Sequence, residues 1–191
     1  MIIIICILCY FLLAVSFIYA QADTNENNHQ LRITIPEIAL INVQSSLQTN
    51  IKLGNGSVVE AGQALKIDES DKSIWINYSS IIGSKSDPSR NVTIQISEGT
   101  IPNGINLFVK ATKDSGSGGG KMGIPNNKMQ VLTSNPLNII SQIGSSYTGV
   151  GTSKGHNIEY ILKLKKEKGS YAKLDFDQST TLVINYTLSD N

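Results

Sequence analysis

Beyond residue 9 the chain has no cysteine, since both of its thiols, Cys6 and Cys9, lie at the extreme N-terminal end. A disulfide framework and a thiolate zinc site are therefore excluded for everything downstream. Histidine is nearly as scarce, with His29 and His156 alone, which argues against a catalytic zinc held by three histidines. Charge of either sign is thin: 16 Lys and Arg face 15 Asp and Glu, a formal net charge of +1. That balance offers no basic field for nucleic acid or for an anionic membrane surface. Aromatic residues make up 6% of the chain, with Trp75 the single tryptophan. Sustained helical periodicity is missing too. Its nearest approach is Leu137 to Ile143, where Ile139, Ile140 and Ile143 predict a short helix or helical turn after Pro136.

What the chain does have begins with one long apolar run without a charge, over residues 2–20. It ends in small residues, which predicts an export signal over residues 1–20, cut after Ala20 or after Ala22. A basic leading region is absent. A membrane span needs ~20 predominantly apolar residues. Here Ser16 and Tyr19 interrupt the run and polar residues follow at once. The expectation is a secreted protein, at the cell surface or in the periplasm, with no stable membrane insertion after cleavage. Cys6 follows Ile5 and Cys9 follows Leu8, not the small residue that precedes a lipidated cysteine. Residues 21–30 read as a polar N-terminal arm and residues 31–191 as one domain. A domain of ~150 residues buries about 70% of its unfolded surface and needs no staples.

From Leu31 onward, short segments with period-two alternation recur between turn residues. Leu31, Ile33 and Ile35 share a face before Pro36, and Ile38 and Leu40 continue after it. Proline cannot donate to a ladder, so this is an edge strand or a strand that bends. Strands are expected at Leu47 to Leu53, Ser57 to Glu60 and Ala64 to Ile67, before an acidic turn at Asp68 to Asp71. Ile74, Ile76 and Tyr78 then alternate with Trp75 and Asn77, which turns Trp75 away from that apolar face, although a tryptophan packed between the two sheets is the commoner outcome and the expectation here. Val92 to Ile96, Ile105 to Ala111, Ile158 to Leu164 and Leu182 to Leu188 alternate in the same way. The pattern predicts an all-β chain: a single antiparallel β-sandwich, Ig-like or pilin-like, of about 8–10 strands.

Motifs that suggest chemistry fail on spacing or context. Gly116 to Gly120 before Lys121 resembles a phosphate loop, yet the spacing is one residue short, Met122 replaces the hydroxyl residue and no amphipathic helix follows. Gly151-Thr152-Ser153-Lys154-Gly155 fits a nucleophile-elbow pattern, but its nearest base, His156, directly follows it. Asp68, Glu69 and Asp71, and separately Asp175 and Asp177, read as solvated acids. Lys163, Lys165, Lys166, Lys168 and Lys173 read as a solvated hairpin tip. Glycosylation sequons begin at Asn55, Asn77, Asn91 and Asn185. No catalytic, cofactor or metal residue is assigned, so the expectation is a non-enzymatic protein without a cofactor.

The stretches Ser73-Ile74-Trp75-Ile76-Asn77-Tyr78-Ser79-Ser80, Arg90-Asn91-Val92-Thr93, Ile143 to Gly149, Gly155-His156-Asn157 and Asn185-Tyr186-Thr187-Leu188 carry a resemblance. Together they resemble small uncharacterised secreted proteins of flavobacteria and related Bacteroidetes, and more distantly pilin-like fimbrial domains. The resemblance implies a structural or adhesive role at the cell surface. Physically, that role rests on Leu31, Ile33 and Ile35 as a strand-exchange edge, pairing with another copy or another surface subunit. The alternative is a carbohydrate-binding module whose stacking residues are Trp75, Tyr78 and Tyr147.

Overall fold

Alternating apolar residues on short strands need a second apolar layer, and the chain supplies one by folding into two stacked antiparallel sheets. The computed structural model describes residues 2–7, 28–45, 60–83, 89–175 and 177–191. Residues 2–7 are helical, and no helix among the described residues is long and apolar enough to cross a membrane. Residues 8–27 of the expected signal and arm lie outside the described residues. So do the strand expected at Leu47 to Leu53, most of the one at Ser57 to Glu60, and the Asn55 sequon. The chain divides into two compact units, Met1–Ile35 and Pro36–Asn191, and the sandwich belongs to the second.

The larger sheet is built on β2 (Asp68–Ile81). One edge of β2 pairs with β1 (Ile38–Ser45); the other pairs with β10 (His156–Leu164) and then β9 (Ser146–Tyr147). β10 continues to β4 (Ile105–Ala111) and β7 (Gln130–Val131), while β9 continues to β5 (Gly119–Gly120). The smaller sheet runs β11 (Val183–Asp190), β3 (Arg90–Glu98), β8 (Leu137–Ile143), β6 (Ile124–Pro125). Between the sheets lie Ile74, Ile76 and Tyr78 of β2, Val92, Ile94 and Ile96 of β3, Leu107 and Val109 of β4, and Ile158, Tyr160 and Leu162 of β10. These are the alternating sets expected from the sequence.

Three local expectations are corrected. The segment Leu137–Ile143 is strand β8, not a helical turn. Its helix-like spacing comes from bulges: three residues of β8 from Ile140 to Ile143 span two of β3, and the register slips again before Asn138. Gln142 takes a left-handed φ of 58° within it. Extra residues let Ile139, Ile140 and Ile143 all face inward. Second, Asp68 to Asp71 is not a turn but the first part of β2. It pairs with β10, and Lys163 Nζ reaches Asp68 at 3.2 Å. Third, the face of β1 is reversed. Ile41 lies opposite Tyr78 and Val43 opposite Ile76, so these share the core face, and Leu40 stands outward with 65% of its surface exposed.

The two lateral sides of the sandwich close differently. On one, backbone groups bridge the sheets: Asn126 donates N–H to Ile139 O at 2.7 Å and accepts from Ala111 N at 2.9 Å. Leu132 N bonds Leu107 O, and Thr133 O accepts from Ile96 N. On the other side lie β1 and β11, each with a single ladder.

Candidate functional site

The β1–β11 side is assembled from the first and last strands of the sandwich. Ile41 of β1 and Ile184, Tyr186 and Leu188 of β11 pack against the core yet remain half-buried. Val43 and Val183 at the same side are exposed. Among the described residues, no strand pairs with the outer edge of β1 or of β11. Such an edge leaves a row of backbone donors and acceptors to solvent, a template for another strand.

One end of this side is fastened by Arg90, which the sequence offered only as part of a strand pattern and not as a clamp. Its side chain is 1% exposed. Nε donates to Asp190 Oδ1 at 2.7 Å, Nη2 to Glu37 Oε1, and Nη1 to Ile38 O, to Ser80 Oγ at 3.3 Å and to Ile81 O at 3.1 Å. One guanidinium thus joins the start of β1, the end of β2, the start of β3 and the end of β11. A planar fork with five donors suits this task as lysine could not. A lone arginine opening a strand gives no sequence signal for it.

Residues 28–37 form no ladder, and the first strand begins at Ile38 rather than at Leu31. Leu31, Ile33 and Ile35 are 77%, 79% and 74% exposed. These are the residues expected to form a strand-exchange edge, and they lie in the N-terminal unit, outside the sandwich.

The aromatic candidates separate. Tyr78 is on the core face, its ring stacked on His156 at a centroid distance of 5.7 Å, and is removed from any surface platform. Trp75 is half-buried on the outer face between Gln44 of β1 and Asn157 of β10. Tyr147 is 59% exposed and lies opposite Ser79, four residues further along β2, roughly 13 Å at ~3.3 Å per residue. Between them Asn77 is clamped by the following loop: Gly151 N donates to its Oδ1 at 2.9 Å, and its Nδ2 donates to Lys154 O at 2.8 Å. That amide is buried, so the Asn77 sequon presents no free nitrogen. Trp75 and Tyr147 do not form one continuous stacking surface.

The glycine-rich loop has a packing explanation. A Cβ on Gly118 would sit 1.7 Å from Tyr147 O, and one on Gly120, at φ 94°, 2.2 Å from Ser145 O. Glycine lets this segment lie flat on β9 as β5. The Ser153–His156 pair also resolves. His156 has no solvent exposure; its Nδ1 lies 2.8 Å from Thr112 O and its Nε2 2.9 Å from Tyr78 Oη. Both ring nitrogens are engaged inside the core. Among the described residues no group of three or more His, Cys, Asp or Glu is placed to hold a metal ion.

Three tyrosine hydroxyls are held in the protonated form. Burial raises Tyr78, with the Asp114 carboxylate adding to it. Burial also raises Tyr160 and Tyr186, whose hydroxyls meet across the two sheets. Tyr160 is raised further by Tyr186 and by Asp71, while the bond from Tyr160 opposes part of the rise at Tyr186. Compared with known protein families and with curated proteins, the chain matches no family model and no curated sequence.

Proposed function

We propose that the chain is a non-enzymatic structural or adhesive subunit, exported to the cell surface or periplasm, that associates by strand pairing. The observation that supports this most is the arm. Three apolar residues at period two stand exposed in the N-terminal unit, and the sandwich unit has two terminal strands whose outer edges carry no ladder among the described residues. The partner is a second copy or another surface subunit with a similar edge. Covering three aliphatic side chains yields a gross gain of roughly 5–9 kcal/mol at ~1.5–3 kcal/mol each. Association itself costs about 4–15 kcal/mol. Backbone hydrogen bonds to the receiving edge must supply the difference.

Sedimentation of the chain lacking residues 1–20, from about 1 to 100 µM, tests the reading across that range. The expected result is concentration-dependent association, abolished by Leu31→Asp with Ile33→Asp while circular dichroism stays unchanged. A protein that remains monomeric throughout, or variants that associate equally well, would remove its support. A second reading, glycan stacking, is favoured by one observation: the Tyr147 ring lies against Gly119 and is largely open to solvent. It predicts glycan-array binding lost in Tyr147→Ala and reduced in Trp75→Ala; equal binding by the native protein and both variants would refute it.

A further inference from the structure

On the side of the sandwich that backbone hydrogen bonds close, residues 124–128 and three residues of β8 line a groove of about 370 Å³. Small-molecule sites occupy roughly 300–1,000 Å³. The walls of the groove are held from behind. Asn126 gives its N–H to Ile139 O and accepts from Ala111 N, so both of its backbone groups are used. Its Oδ1 accepts from Lys128 N at 3.1 Å, and Ser141 Oγ donates to Ile124 O at 3.4 Å. Gly123, at φ 83°, comes so close to β8 that a Cβ would sit 2.7 Å from Ser141 O. Walls fixed in this way spare a ligand the cost of ordering them.

The chemistry of the lining is narrow. The side-chain amides of Asn126, Asn127 and Asn138 share it with the Ser141 hydroxyl and the Lys128 ammonium. Among the described residues, Asn127 and Asn138 make no side-chain hydrogen bond and Lys128 pairs with no carboxylate. The lining holds no Asp, Glu, His or Cys, so it supplies neither a carboxylate or imidazole base nor zinc ligands. A carboxamide both donates and accepts, and so does a hydroxyl, which makes a row of hydroxyls its natural complement. Ile124, 57% exposed, adds an aliphatic wall for C–H groups. The ammonium asks for an anionic group on the same ligand. A peptide strand is the poorer occupant, because the Asn126 backbone is already taken and the free groups are side-chain amides.

We propose that this groove binds an acidic sugar, a hydroxyl-rich ring whose carboxylate pairs with Lys128. Its hydroxyls pair with the amides of Asn126, Asn127 and Asn138, and its C–H groups lie against Ile124. The lining includes neither a residue of β1 or β11 nor Trp75 or Tyr147, so the proposal rests on neither reading given above. The ring arrives either free or as one unit of a polyuronate chain.

The test is a magnetic resonance titration of the purified protein with galacturonate, glucuronate, trigalacturonate, galactose and acetate. The expected result is that one of the two free uronates moves the side-chain amide signals of Asn126, Asn127 and Asn138 along one saturable curve. Galactose and acetate each carry half of the chemistry and should bind at least about tenfold more weakly. Lys128→Gln should weaken the uronate by about tenfold and leave galactose unchanged, whereas Asn138→Ala should weaken both. Both side chains are exposed, so the rest of the spectrum should stay as it was. Trigalacturonate binding as tightly as the free sugar assigns the groove to a chain unit, and weaker binding assigns it to the free sugar. Acetate or galactose binding as tightly as the uronates would overturn the proposal. So would shifts confined to Tyr147 and Gly119, amides that follow protein concentration and not sugar, or no saturable shift with either uronate.

Discussion

Arg90 carries more connections than any other side chain described, and its surroundings decide what its loss would cost. Glu37 and Asp190 are exposed and return to water when the guanidinium goes. Ile38 O and Ile81 O lose their donor, at ~1–3 kcal/mol for each orphaned group, and a cavity remains. Arg90→Ala is therefore expected to destabilise by more than ~3 kcal/mol in urea unfolding. Asp190→Asn, which leaves four of the acceptors in place, should cost clearly less; equal losses would show that the carboxylates, not the carbonyls, carry the clamp. The buried tyrosines give a pH prediction. Each hydroxyl titrates above its ordinary value of 10.0 in the folded state. Their contribution is thus complete below that value and is lost as pH rises beyond it, because the unfolded chain ionises first. Stability should hold from neutral pH to near 10 and then fall, with tyrosinate absorbance appearing together with unfolding. Tyr186→Phe should make the alkaline decline shallower. Alternation pointed Trp75 away from Ile74, Ile76 and Tyr78, but the expectation that a tryptophan packs between the sheets is corrected, since it lies half-buried on the outer face. Arg90 and the Tyr78–His156 pairing were not legible, because they depend on which strands meet across the sheets.

At the scale of elements, period-two alternation located β3, β4, β10 and β11: β4 and β10 keep one register along their shared ladder, and β11 slips against β3 only at Val183/Ile184. It misled where the chain departs from that register. The bulges of β8 imitate a helical period, and the run of acids at the start of β2 imitates a turn until the facing strand supplies Lys163. The two-residue strands β5, β6, β7 and β9 are too short to show any period. The glycine-rich loop was legible as a connection but not as packing, since the need for glycine comes from the backbone of β9. Two substitutions separate those roles. Gly116 has positive φ and open space around it, so Gly116→Ala should cost on the order of 1 kcal/mol in strain alone. Gly120 has positive φ and backbone atoms within 3 Å, so Gly120→Ala should cost at least ~2 kcal/mol and weaken the β5–β9 pairing. Similar values for both would mean that the close approach relaxes freely.

For the sandwich unit, the decisive feature is the asymmetry of its two sides. Residues 124–133 join the sheets by backbone hydrogen bonds on one side, and Arg90 fastens one end of the other. A chain with no cysteine beyond residue 9 closes itself with backbone and a buried guanidinium where a disulfide is unavailable. The terminal strands keep one edge each without a ladder among the described residues, and the arm ahead of them carries apolar residues in the period a sheet edge accepts. The most direct measurement is hydrogen exchange by mass spectrometry at low and high protein concentration. Strand pairing through the arm predicts that residues 28–35 gain protection at high concentration together with β1 or β11, while β3, β10 and residues 124–133 stay as they were. Protection that does not depend on concentration, or that changes at residues 124–133 and leaves the arm untouched, would contradict it.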